Sequence, residues 1–228
     1  MSEKEWLKGF GRASGKVVWM IKADGVIFDL DGTLWNATEN IARSWNQVLL
    51  EEGYAAKSAE ELKGCMGLPM GELFARLFPG VESGKIERLA EKLYAAENAY
   101  MEKHGGVLYT GLEETLQALK GKYLLAVVSN CQAGYIEAFF KAHGLGKYFT
   151  DFESLGGTGL LKAGNIRLVA ERNHLKYPVY VGDIQGDCDS AHEAGAAMVY
   201  AAYGFGSVAG AEGVIHSITE LPDVLEPA

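Results

Sequence analysis

No apolar run in the 228 residues approaches the roughly 20 needed to cross a bilayer, and the early run Val17–Ile21 is too short for the core of a secretion signal. Cysteine is scarce. Cys65, Cys131 and Cys188 lie far apart, without the CxxC spacing of a zinc or redox centre or the density of a disulfide scaffold, so the expectation is reduced thiols in the cytoplasm. Proline is sparse too, five against 29 glycines, which points to tight connections rather than stiff linkers. Positive charge is also in deficit: 21 Lys and Arg face 30 Asp and Glu, for a net charge of −9. Such a chain has no field to gather phosphate backbones, which excludes a dedicated nucleic-acid binder. It has no repeat and no low-complexity tract. What remains, 48% hydrophobic and 22% charged residues, is the make-up of a soluble globular protein of one or two domains.

Residues 1–22 read as an N-terminal arm, within which Met20 is an alternative start. The KGFGRASGKVV segment is not a phosphate loop: with Gly15-Lys16 at its end, position 10 would have to be glycine and position 17 Ser or Thr, and they are Phe10 and Val17. From Gly25 short apolar runs alternate with helical stretches. Strands are expected at GVIFDL, at Tyr123–Val128, at Val179–Val181, at Ala197–Ala201 and, more weakly, at Gly213–Ile215. Between them lie GLEETLQALK, with Thr110 and Glu113 as a capping box, AGYIEAFFKAH closed by Gly144, NIRLVAERNH, and DSAHEA closed by Gly195. This alternation predicts an α/β fold with a doubly wound parallel sheet, whose ligands sit beyond the carboxyl ends of the strands. Residues 36–104 carry only helical periodicity, with stripes at Ile41, Trp45, Val48 and Leu49, at Leu73, Phe74 and Leu77, and at Ile86, Leu89 and Leu93.

On this frame Asp29 and Asp31 end the first strand, and Asp183 and Asp187 fall in the turn after a later one. Residues two apart on a strand address the same region. Four carboxylates at one sheet edge would cost several kcal/mol without a counter-charge, so a cation is expected, and hard oxygen ligands suggest Mg²⁺. Ser129 and Asn130, at the end of another strand and the opening of the next helix, offer a hydroxyl, an amide and backbone N–H groups to a phosphate. Lys162, just ahead of the helix at Asn165, adds a positive charge.

These segments, FDLDGTL at 28–34, VVSN at 127–130, LLKAG at 160–164 and GDIQGD at 182–187, stand in the order of a signature. The chain resembles the haloacid dehalogenase-like hydrolases over residues 23–225, most of all the phosphoglycolate phosphatase group. One departure is Ala163, where many members have proline after the lysine. The resemblance implies a Rossmann-like core at 23–35 and 105–228, with 36–104 as a small helical cap. It implies Asp29 as nucleophile forming an aspartyl-phosphate, Asp31 as general acid and base, and Lys162 as charge stabiliser. Ser129 and Asn130 would bind the phosphoryl group. Mg²⁺ would be held by Asp29, the Asp31 main-chain carbonyl and Asp183, with Asp187 as a further carboxylate. Asp at position 31 favours phosphoryl transfer over the dehalogenase chemistry. The turn Lys63–Gly67 with Arg76 is either a source of substrate contacts or an exposed connection, and AAYGFGSV at 201–208 is either a loop at the site or a plain strand exit. The expected protein is a cytoplasmic phosphatase, a monomer or homodimer, acting on a small phosphorylated metabolite without nucleic-acid or membrane partners. Two alternatives stay open: a β-phosphoglucomutase-like sugar phosphomutase, and a non-catalytic binding module on the same fold.

Overall fold

The computed structural model describes residues 10–13 and 16–228; the rest of the expected arm, with Gly15 of the rejected phosphate loop, lies outside the described residues. Strands β1 (Phe10–Ala13) and β2 (Lys16–Trp19) pair antiparallel. After β3 (Ile21–Ala23) the chain enters β4 (Gly25–Phe28), every residue of which is buried. Ile21 is buried as well, so the end of the expected arm packs into the body of the protein.

A short strand β5 (Trp35–Asn36) leads to four helices, α1 (Thr38–Glu51), α2 (Ala59–Lys63), α3 (Met70–Leu77) and α4 (Ser83–His104). The chain returns through β6 (Val107–Leu108), which pairs antiparallel with β5 and closes the neck of this excursion. The apolar stripes form its interior: Ile41, Trp45 and Leu49 of α1, Leu73, Phe74 and Leu77 of α3, and Leu89 and Leu93 of α4 are all buried. Trp45 stacks on Phe74 with ring centroids 5.6 Å apart.

Then strands and helices alternate: α5 (Leu112–Lys120), β7 (Leu124–Ser129), α6 (Tyr135–His143), β8 (Asp151–Ser154), α7 (Leu155–Thr158), α8 (Lys162–Arg172), β9 (Pro178–Gly182), α9 (Gln185–Ala194), β10 (Ala197–Ala201) and β11 (Gly213–Ile215). The turn α10 (Leu221–Val224) precedes β12 (Leu225–Pro227), which pairs with β3. The main sheet is parallel throughout, in the order β11-β10-β9-β4-β7-β8. The chain winds outward from β4 in one direction and restarts at β9 in the other, so the crevice lies where β4 meets β7 and β9.

Three expectations need correction, and one strand was not expected at all. Strand β8 has no apolar run: it is an edge strand, and its Asp151 and Glu153 both pair with Arg172 of α8, polarity that suits an unpaired edge. Thr110 does not cap α5. Gly111, at φ +81°, stands between them, and Glu113 turns instead to Lys147 and Tyr148. Helix α8 begins at Lys162 rather than Asn165, because the Asn165 amide donates back to the Leu160 carbonyl at 2.9 Å and accepts from Thr158 Oγ1 at 2.7 Å, binding the preceding loop into a helical turn. Asp187 lies in the first turn of α9 and not in the loop, since that helix already starts at Gln185.

Candidate active site

The strand ends converge as the alternation requires. Asp29 follows β4 directly and extends its ladder, its amide donating to the Val181 carbonyl at 2.8 Å. Ser129 closes β7, and Asp183 follows β9. Beneath them Lys162, 2% exposed at the start of α8, donates from Nζ to Asp29 Oδ1 at 3.0 Å and to Asp187 Oδ1 at 2.5 Å. Asp187 Oδ2 accepts the Asp183 and Ile184 amides at 2.9 and 3.1 Å, so this side chain locks the loop carrying Asp183. Asp183 in turn accepts from Thr33 Oγ1 at 3.4 Å and from the Phe205 amide at 2.7 Å.

Close approach to Asp183 demands glycine. A Cβ on Gly32, at φ +83°, would stand 2.3 Å from Asp183 Oδ2, and one on Gly204 would stand 2.3 Å from the Asp183 Cβ. Side chains at either place would push the carboxylate out of position. The 201–208 segment is therefore a loop at the site.

Asp29, Asp183 and Asp187 each offer a carboxylate oxygen, all within 4.8 Å of one another. Three carboxylates against the one Lys162 ammonium leave a surplus of two negative charges. Burial pushes Asp29 up to about 6 against the pull of Lys162, the Asp187 charge adding to the rise. Burial, then the charges of Asp187 and Asp29, pushes Asp183 up to about 8. Lys162 moves the other way: burial opposes its charge, but Asp187 and Asp29 outweigh that and raise it above the ordinary lysine range. A buried, oxygen-only donor set with two charges in surplus fits a hard divalent cation.

The Asp31 carboxyl stands outside that group of three and accepts from Tyr135 Oη at 3.1 Å. Burial, then the charges of Asp29 and Glu97, raises it well above the usual carboxylate range. Ser129 and Asn130 line the same cavity as Asp29 and Asp31, but α6 does not begin until Tyr135, so the residues after Ser129 form a loop and not a helix N-terminus. Asn130 Nδ2 donates to the Gly67 carbonyl at 3.1 Å, tying that loop to the helical excursion.

The cavity is roofed by Ile41, Trp45, Met66, Gly67, Leu68, Met70, Leu73 and Glu97 and floored by the sheet-edge residues. The Lys63–Gly67 turn thus reaches the site through Met66 and Gly67, whereas Arg76 is exposed on α3 and absent from the lining. Sequence reading passed over Thr33, although it stands inside the FDLDGTL run, and also Tyr135, Gln132 and Glu97. Glu97 of α4 is 4% exposed, and accepts from Trp45 Nε1 at 2.5 Å and from Gln132 Nε2 at 3.1 Å. Burial pushes it up to about 7, against the two hydrogen bonds. Its only mark in the sequence is that it interrupts the apolar seam Leu89, Leu93, Met101. No helix among the described residues is long and apolar enough to cross a membrane.

Comparison with known proteins matches the family described as "Haloacid dehalogenase-like hydrolase" to residues 26–201, a span that contains all four motifs. The phosphoglycolate phosphatase of Haemophilus influenzae (strain 86-028NP) is 32% identical over 192 residues, covering 78% of this chain and 85% of its own. That of Vibrio parahaemolyticus is 28% identical over 221 residues, covering 88% and 95%. Among solved structures, a haloacid dehalogenase-like family protein of Streptococcus pneumoniae superposes with a TM-score of 0.77 at 20% identity, over 88% of this chain and 97% of the other, a likeness of fold.

Proposed function

Because the chain belongs to the haloacid dehalogenase-like hydrolase family, we propose that it is a Mg²⁺-dependent phosphatase that hydrolyses small phosphate monoesters through an aspartyl-phosphate on Asp29. The observation that carries this reading is the Lys162 ammonium bridging Asp29 and Asp187, with Asp183 beside them and Asp31 held apart by Tyr135. Asp29, Asp183 and the Asp31 main-chain carbonyl would hold the ion, and Asp187 would act by fixing Lys162 and the Asp183 loop. When bound, Mg²⁺ would neutralise the surplus carboxylate charge and polarise the phosphoryl group.

The residues divide the work. Lys162 orients the Asp29 carboxylate, which attacks phosphorus in line; the new bond from the Asp29 carboxylate oxygen to phosphorus, an acyl phosphate, forms as the substrate's ester bond breaks. Asp31 gives its proton to the departing alkoxide. It then takes a proton from water, whose oxygen attacks phosphorus, releasing inorganic phosphate and restoring both aspartates. Ser129 through its hydroxyl and Asn130 through its main-chain N–H hold the phosphoryl oxygens, with Lys162 balancing their charge.

Residues 36–104 serve as a cap on a core of 23–35 and 105–228. The β5–β6 pair at the neck supports that division, as does the roof that the four helices lay over the carboxylates. The cavity is about 40 Å³, room for a few waters, and opening of the helical cap would make room for an ester. Three free, buried cysteines suit a reducing cytoplasm. The named relatives make phosphoglycolate the first ester to assay. The test is phosphate release from a panel of small esters with and without Mg²⁺, for the wild type and Asp29→Asn. Release should require the metal and fall at least about 10³-fold in the variant; turnover indifferent to Asp29→Asn would overturn the mechanism.

A further inference from the structure

The cavity above Asp29 and Asp31 holds a third acid, and the chemistry just described does not use it. Glu97 occupies a seam position of α4: Leu89, Leu93, Glu97 and Met101 recur every four residues and are all buried. Packing alone calls for an apolar side chain there, and an acid in an apolar seam carries a cost that a function has to justify. Neutral donors, Trp45 Nε1 and Gln132 Nε2, hold it, and no cation among the described residues pairs with it.

The remaining lining repeats that bias. Among the described residues no Lys, Arg or His lines the cavity, and Lys162 lies below it, engaged by Asp29 and Asp187. Asn130, also in the lining, has given its amide nitrogen to Gly67, while its buried Oδ1 has no hydrogen-bond partner among the described residues. Orphaned buried acceptors are uncommon in folded proteins and mark a place where a donor arrives. The roof otherwise presents apolar Ile41, Leu68 and Leu73. A leaving group bearing a carboxylate would meet Glu97 with no positive charge to shield it, whereas one bearing a further hydroxyl or an ammonium would find two acceptors.

We propose that Glu97, with the Oδ1 of Asn130, is the specificity determinant for the leaving group, selecting esters whose alcohol donates hydrogen bonds and carries no negative charge and rejecting carboxylate-bearing esters. This deepens the phosphatase reading and rests on it. It also separates this chain from its relatives in substrate, because the ester in their name, phosphoglycolate, carries a carboxylate.

The test measures kcat/KM of the Mg²⁺-loaded full chain for 2-phosphoglycolate, glycerol 1-phosphate and O-phosphoethanolamine, in the wild type and in Glu97→Gln. The wild type should favour glycerol 1-phosphate or O-phosphoethanolamine over 2-phosphoglycolate by about 10-fold or more, and Glu97→Gln should narrow that ratio about 10-fold. Whichever of the two leads identifies the donor as hydroxyl or ammonium, and either order supports the proposal. A ratio of two substrates does not depend on how much of the variant is folded, and the wild-type ranking stands as a test if the variant fails to fold. Phosphoglycolate turned over as well as the others, or a ratio unmoved in Glu97→Gln, would overturn this proposal and leave the phosphatase intact. Release from none of the three esters would overturn both.

Discussion

Two regions of this molecule bury carboxylates, and they do so by different means. At the sheet edge Asp29 and Asp187 share the Lys162 ammonium, and backbone amides close around Asp187 and Asp183. In the helical seam Glu97 has, among the described residues, an indole and an amide for partners. A charged partner offsets part of the burial cost at Asp29, while the neutral donors around Glu97 soften that cost and leave it largely in force. On the proposed reading the contrast separates two roles: acids that would hold the metal and attack phosphorus, and an acid that would be felt by whatever alcohol enters beside it.

The comparison breaks most sharply at Lys162. Replacing it with Met leaves buried Asp29 and Asp187 without their shared cation, and the expected loss is about 3–5 kcal/mol of stability together with most of the phosphate release. Denaturant midpoints at constant slope measure the first; an unchanged midpoint would mean that the carboxylates do not depend on the lysine.

Glu97 supplies the next largest effect, and its sign is opposite to that of an ordinary salt-bridged acid. Its folded pKa lies above its ordinary value of 4.5, at about 7, so the folded state holds the proton more tightly than the unfolded one. Stability is therefore lost as pH rises from about 4.5 to 7, by about 3 kcal/mol. Glu97→Gln removes that dependence, so its stability relative to wild type should climb across this window in parallel pH series of thermal melts. A flat difference would show that the seam does not penalise the charge.

Gly32→Ala probes the packing around Asp183, combining a left-handed backbone with a Cβ driven onto the carboxylate, and should cost about 2 kcal/mol. Gly144→Ala at the end of α6 serves as the reference: φ is +67° but nothing lies within 4 Å of its new Cβ, so about 1 kcal/mol of strain is all that is expected. Chemical denaturation of the pair ranks them, and equal losses would mean that Asp183 yields freely.

Much of the sheet-edge region was legible because its determinants are local. GVIF, LLAVV and AMVYA are apolar runs that only a buried parallel strand accommodates, and the acids, the serine and the lysine sit at fixed offsets from their ends. Strand β8 escaped because an edge strand needs no apolar run and carries its charges outward to Arg172. The capping box at Thr110 misled because residue identity at the right spacing says nothing of the backbone turn between, which a left-handed Gly111 reverses. Glu97 was legible only as a flaw in a stripe.

By itself the amino-acid sequence determined the parallel sheet, the helical stretch after its first strand, and which acids, hydroxyl and lysine would gather at the sheet's carboxyl edge. Period-two alternation and short connections leave those residues little choice of direction. Only the tertiary structure decided how the charges pair: that Lys162 reaches Asp29 across 133 residues of chain, that Asp187 spends its oxygens on lysine and amides, and that Glu97 of a distant helix hangs over the same cavity. Electrostatic pairing depends on separations of a few ångströms between residues far apart in sequence, and those separations exist only once the helices have packed against the sheet.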